Sequence, residues 1–204
     1  VACLKAGKDV LVEKPAFLTT AEGSELMELE AKSAGIVNVY QNRRYDGDFL
    51  TIKSLLDSNV CGDWKVIESR FDRFRPNVRD RWRENAGPGS GILFDLGSHL
   101  IDQTLALFGK PDKIQADVMI QREGGQSDDG FYVTFYYGEK RVYLRSNPFI
   151  AGGTPRFEVH GTKGSFVKFG LDPQEEALKH GKLASDVLET GILSTDEVVT
   201  IQVE

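Results

Sequence analysis

Two periodicities divide the chain. Over residues 1 to about 58, short apolar runs alternate with helix-forming stretches: "VLV" at 10–12 and "IVNVY" at 36–40 read as strands, and 2–6, 21–34 and 47–58 as helices. Gly7, Pro15 and Gly35 punctuate them, with Thr19 or Thr20 as the N-cap and Gly35 at the C-terminus of the second helix. This is the βαβ rhythm of a parallel sheet, in which Val10, Leu11 and Val12 form a short buried strand. Lys14 follows that strand in "VEKPA", at the carboxyl edge where open α/β sheets bind ligands. A solvated lysine in a tight turn is the plainer alternative.

From residue 63 the pattern changes. Segments 64–74, 112–122, 130–137, 140–147, 155–160 and 164–169 read as strands, several joined by short polar turns such as "YGEK" and "GTKG". One long apolar helix, 91–108, interrupts them. The fold class expected is α+β: an open antiparallel sheet with a helix on one face, preceded by the remnant of a parallel α/β sheet. The uncovered face is then available for contact with another subunit. Residues 171–196 are polar and weakly patterned, and the chain contains no internal repeats.

Composition narrows the partners. The 204 residues are 40% hydrophobic with a formal net charge of −6, which argues against nucleic acid or an anionic membrane surface. Two cysteines without paired spacing point to a reducing compartment, the cytoplasm. No apolar run reaches the length of a membrane span.

The densest chemistry lies on the interrupting helix, "GSGILFDLGSHLIDQTLALFG". It is apolar nearly all round and should be buried, yet Asp95, His99 and Asp102 recur at i, i+4 and i+7. On an α-helix they fall within a stripe about 60° wide. Gly91 and Ser98 flank it with small side chains, leaving room for an approaching group. A self-contained Asp–His–Asp network, a catalytic site and a metal site are the alternatives. The other histidines, His160 and His180, lack supporting spacing, so no metal is expected.

Two further clusters are polar. In "YQNRRYDGDF" (40–49), Asn42 falls on the same sheet edge as Lys14, and Arg43, Arg44 and Tyr45 are placed to line a crevice. The alternative is a polar loop capped by Asp46. In "RFDRFRPNVRDRWRE" (70–84), arginines interleave with Phe71, Phe74 and Trp82 but also with Asp72, Asp80 and Glu84. That mixture reads as a solvated strand and loop with paired charges rather than a nucleic-acid patch.

Together "EKP" at a strand end, "DLGSHLID" on a buried helix and the asparagine loop resemble the glucose-fructose oxidoreductase, inositol dehydrogenase and MocA-like family. "NRRYDGDF", "DRFRP", "RWRE" and "HGTKGSFVKFGLDPQE" resemble its branch of NADP-dependent scyllo-inositol dehydrogenases. The likeness spans residues 1 to about 176. It implies an NAD(P)-dependent oxidoreductase acting on a polyol or sugar, with Lys14, Asp95 and His99 catalytic. It also implies cofactor contacts at Lys14, Pro15, Asn42, Trp82 and Arg83, and substrate contacts at Asp95, His99 and Asp102. Removing a hydride from a secondary alcohol requires a group to take the hydroxyl proton, which an imidazole can do while an ammonium holds the same oxygen.

The resemblance further implies a nucleotide-binding unit over 1–45, a substrate-binding and oligomerisation unit over 46–204, and a homodimer or homotetramer formed through the sheet. The glycine-rich dinucleotide turn of such proteins has no counterpart. "GPGSG" at 87–91 follows an arginine-rich loop instead of a strand. The chain is therefore expected to be a fragment lacking most of the Rossmann half and the usual C-terminal segment, inactive by itself. An NAD-dependent glycosidase on the same scaffold and a sensor protein without turnover are the competing functions.

Overall fold

The computed structural model describes residues 1–183 and the strand at 197–200. Helix α1 (Ala2–Lys5) leads into β1 (Val10–Glu13), helix α2 (Thr20–Ala31) and β2 (Val37–Tyr40). β1 and β2 pair in parallel, with Val10 opposite Val37 and Glu13 opposite Tyr40, so Lys14 and the 3-10 turn Asn42–Tyr45 leave the same edge. Thr19 caps α2 through a reciprocal box. Its hydroxyl accepts from the Glu22 N–H at 3.2 Å while the Glu22 carboxylate accepts from the Thr19 N–H at 3.0 Å.

Three local expectations change. The first strand is not buried: its sides alternate, and Leu11 is 65% exposed, because the two-stranded sheet gains no further strand among the described residues. α2 ends at Ala31 rather than 34, where Ser33 donates to the Leu4 carbonyl and accepts from the Gly35 N–H. Gly35 is needed for close approach rather than as a helix terminator, since a Cβ there would lie 2.3 Å from the Lys8 carbonyl oxygen.

Helix α3 (Gly47–Asp57) then leads to the larger sheet. Its strands are β3 (Trp64–Arg70), β4 (Lys113–Met119), β5 (Gly130–Tyr137), β6 (Lys140–Ser146), β7 (Phe157–Gly161), β8 (Ser165–Lys168) and β9 (Glu197–Thr200), in the order β4-β5-β6-β3-β7-β8-β9. Every neighbouring pair is antiparallel except β3–β6, which is parallel. The sheet is thus mixed and largely antiparallel. The β4–β5–β6 meander returns its last strand alongside β3 in the same direction. β3 is shorter than the sequence predicts, but the chain continues along the sheet, with N–H groups of Phe71, Arg73 and Arg75 donating to the carbonyls of Arg145, Asn147 and Pro148.

A π turn (Leu93–Gly97) and helix α4 (Ser98–Phe108) cover one face. Leu96 and Leu100 pack there against Ile67, Phe131, Val133, Val142 and Leu144, with Leu100 fully buried. Each such side chain contributes roughly 1.5–3 kcal/mol of burial. The opposite face carries the exposed Tyr132 and Tyr143. Helix α5 (Gln174–Lys179) falls in the stretch with weak pattern. The remainder of 171–196 beyond residue 183 lies outside the described residues.

Candidate active site

The helix expected over 91–108 starts as a π turn, and this decides where its polar groups go. The wider turn displaces Asp95 from the α-helical stripe shared with His99 and Asp102. Gly91 (φ +92°) does not leave open room either. Asp128 packs against it so closely that a Cβ would fall 1.9 Å from its carboxylate oxygen, and Asp128 accepts from the Leu93 N–H at 2.7 Å.

Asp95 faces the end of β1. The Lys14 ammonium donates to the Asp95 backbone carbonyl at 2.5 Å and to its carboxylate at 3.1 Å. Arg83 reaches the same carboxylate oxygen at 3.3 Å and lies over the Trp82 ring, 4.5 Å from its centroid. Trp82 itself is 60% exposed. The loop carrying this pair is fixed by buried Glu84, which accepts from the Arg79 N–H at 2.9 Å and from the side chains of Arg81 at 2.6 Å and Arg122 at 2.8 Å.

His99 is only 7% exposed. Burial, then the positive charges of Lys14 and Arg43, push its pKa down to about 3, against a weaker pull from Asp95. The imidazole is neutral at physiological pH, and its Nδ1 is buried with no hydrogen-bond partner among the described residues. The Asp–His–Asp network does not form. Asp95 is held by Lys14 and Arg83, and Asp102 makes a two-pronged pair with Arg44 at 2.6 and 2.8 Å. The structure thus joins Lys14 and Arg83 to Asp95, sets His99 within electrostatic reach of Lys14 and Asp95, and places Asp102 on a separate pair.

Asn42 lines a crevice of about 310 Å³ with Tyr40, Asp46 and Glu175. A larger one of about 710 Å³, lined by Phe71, Leu96 and Arg73, shares Arg43 and Glu175 with it. Asp46 lacks the capping hydrogen bond expected of it. Its pKa is raised to about 6, by burial first and by the nearby Asp48 and Asp172 charges, with Arg43 opposing. Among the described residues no cluster of three His, Cys, Asp or Glu side chains is arranged to hold a metal ion.

Sequence reasoning missed Arg156. Its guanidinium is buried between the rings of Phe71 and Phe157 and donates to Ser69 at 2.6 Å and Gln103 at 3.1 Å. Gln103 in turn donates to the Arg43 carbonyl at 2.7 Å, tying α4 to the loop after β2. Burial lowers the Arg156 pKa to about 10. An arginine at a strand start carries no sequence signal of such a role.

Residues 49–167 match the family model of the GFO/IDH/MocA C-terminal domain, and the chain belongs to this family. The chain is 50% identical over 182 residues to uncharacterized oxidoreductase YdgJ of Escherichia coli, covering 89% of this chain and 52% of that protein. It is 42% identical over 186 residues to scyllo-inositol 2-dehydrogenase (NADP(+)) IolW of Bacillus subtilis, covering 91% and 52%. A crystal structure of an oxidoreductase from Bacillus cereus superposes with a TM-score of 0.83 at 38% identity, over 90% of this chain and 53% of that one. The chain spans about half the length of the curated relatives it matches.

Proposed function

We propose that the protein containing this chain is an NAD(P)-dependent dehydrogenase of a polyol or sugar, with NADP the first choice because IolW carries that name. Residues 1–45 then belong to the nucleotide-binding unit and 46–204 to the substrate-binding unit. The observation that carries this reading is the buried, neutral His99 with an unpartnered ring nitrogen, set beside a lysine–carboxylate pair.

Oxidation of a secondary alcohol breaks one C–H and one O–H bond. A nicotinamide cofactor, when bound, supplies the hydride acceptor. The residues that would hold it are Lys14 and Pro15 at the end of β1, Asn42 after β2, and the exposed Trp82 with Arg83. His99 accepts the hydroxyl proton as the carbonyl forms. Burial and the Lys14 charge otherwise hold its pKa down, and negative charge developing on the substrate oxygen offsets that charge. The Lys14 ammonium hydrogen-bonds the same oxygen, and its charge makes negative charge on that oxygen less costly. Asp95 pairs with Lys14 and orients it.

The outer sheet face with Tyr132 and Tyr143 supports pairing with a second copy of the chain. Both cysteines are free, which supports a reducing compartment. No helix among the described residues is long and apolar enough to cross a membrane.

The test is NADPH or NADH formation by the intact protein with inositols and related polyols. Lys14→Ala or His99→Ala should slow turnover by a factor on the order of 10² or more. Absence of net cofactor reduction with every polyol would overturn the reading.

A further inference from the structure

Most arginines in the arginine-rich segment and around it have carboxylate partners: Arg70 with Glu68 and Glu158, Arg81 with Glu84, and Arg145 with Asp72. Arg73 and Arg75 are exceptions to the expected pairing. Neither guanidinium has an ion pair or a hydrogen bond among the described residues. Their placement is systematic. The backbone N–H groups of residues 71, 73 and 75 all bond to the strand-like segment 145–148, so these alternate side chains share one side. All three line the crevice of about 710 Å³, within the size range of small-molecule sites.

None of the carboxylates near the two arginines pairs with them, and Glu176 on the far wall is exposed and lies 3.5 Å from His180. On the far wall, Glu175 is paired with Arg43 and Lys179. Asp172 accepts hydrogen bonds from Gly47 and Gln174. In the small adjoining crevice, Glu84 and Asp129 are both held by Arg122. Burial, then the charges of Arg75, Arg81 and Arg79, hold the Arg73 pKa below its ordinary value, while Asp95 pulls the other way. Leu96, the chain neighbour of Asp95, lines the same crevice, which puts it beside the Lys14–Asp95 pair. A chain of net charge −6 thus concentrates unneutralised positive charge next to its candidate active site.

Two guanidiniums on one wall form a donor array suited to a carboxylate or a phosphate, and partial desolvation strengthens such pairing. We propose that the substrate of this site carries an anionic group that Arg73 and Arg75 receive, so its class is an acidic polyol or sugar rather than a neutral inositol. This rests on the dehydrogenase reading above. The anion takes no part in bond making, and the redox balance stays that of the alcohol oxidation already given.

The experiment compares three sets of substrates with the intact protein and NAD(P): aldonates and uronates, inositol and sugar phosphates, and neutral scyllo- and myo-inositol. Expected is a kcat/KM at least about tenfold higher for one anionic set, weakening with salt. The set that wins identifies carboxylate or phosphate. The Arg73→Gln, Arg75→Gln double variant should raise KM for that substrate by about tenfold or more, exceeding any fall in kcat, with partial recovery in Arg73→Lys. Lys113→Gln, on the distant edge strand, should leave both constants unchanged. Should the double variant not fold, Arg75→Gln alone, at an exposed position, reads the same KM change. Preference for neutral inositols overturns the inference and leaves the dehydrogenase reading standing. If no polyol of either charge is oxidised, that reading fails. Calorimetric titration with gluconate and with glucose 6-phosphate then decides the inference separately: binding weakened about tenfold in the double variant sustains it, and absence of binding ends it.

Discussion

Replacing His99 by Gln should change how stability depends on pH. In the folded chain the imidazole has its pKa pushed down to about 3, by burial first and then by the Lys14 and Arg43 charges. In the unfolded chain it returns to about 6.5. Between these values the unfolded state binds a proton that the native state refuses, so this group makes stability fall as pH drops below 6.5. From pH 7 to pH 5 the loss is about 2 kcal/mol, from 1.4 kcal/mol per pH unit over roughly the last 1.5 units. The figure depends only on the folded pKa lying well below 5. Asp46 acts in the opposite sense. Its folded pKa of about 6 exceeds the unfolded value, so the native state gains a proton first. Over the same interval it adds on the order of 1 kcal/mol of stability, which masks part of the His99 effect in the wild type. The variant exposes it. Urea unfolding followed by the fluorescence of Trp64 and Trp82, at pH 5, 6 and 7, gives both curves. The difference in unfolding free energy between His99→Gln and wild type should move by about 2 kcal/mol toward the variant between pH 7 and 5. Curves that stay parallel within about 0.5 kcal/mol would refute a buried neutral imidazole at this position.

Leu100→Ala removes a fully buried side chain between α4 and the sheet and should cost about 2–5 kcal/mol in urea unfolding. Thr19→Ala opens the capping box of α2 and should cost about 1 kcal/mol, measured in the same way. Asp102→Asn leaves the Lys14–Asp95–Arg83 contacts intact and weakens only the pair with Arg44. It should therefore lower turnover of the intact protein less than His99→Ala does.

The features legible in the sequence were local. "VEKP" put Lys14 at a strand end because a short apolar run stops at a proline, and the sequence offered Thr19 or Thr20 as the N-cap, of which the structure uses Thr19. The patterning of 130–137 and 140–147 gave the strands β5 and β6 to within a residue. What escaped depends on contacts between distant segments. The parallel β3–β6 pairing follows from the path of a meander, which no local period encodes. The π turn at Leu93–Gly97 requires knowing that Asp128 would cap the Leu93 N–H from another loop. The i, i+4, i+7 spacing grouped Asp95, His99 and Asp102, but their partners Lys14, Arg83 and Arg44 came from three other segments and drew them apart. The arginine-rich stretch read as paired charges. Whether a particular arginine finds its carboxylate is settled by which side of the strand it faces, and Arg73 and Arg75 face a crevice where no carboxylate among the described residues pairs with them.

The central claim is that Lys14 and His99 handle the proton while hydride leaves a substrate carbon. The direct test uses the intact protein and a polyol substrate carrying deuterium at the oxidised carbon, with the reduced nicotinamide examined by mass spectrometry. The account predicts one deuterium transferred per substrate oxidised. It also predicts the same transfer in the Lys14→Ala, His99→Ala double variant at a rate lower by about 10² or more. Wild-type rates in that variant, or reduced cofactor without deuterium, would contradict it.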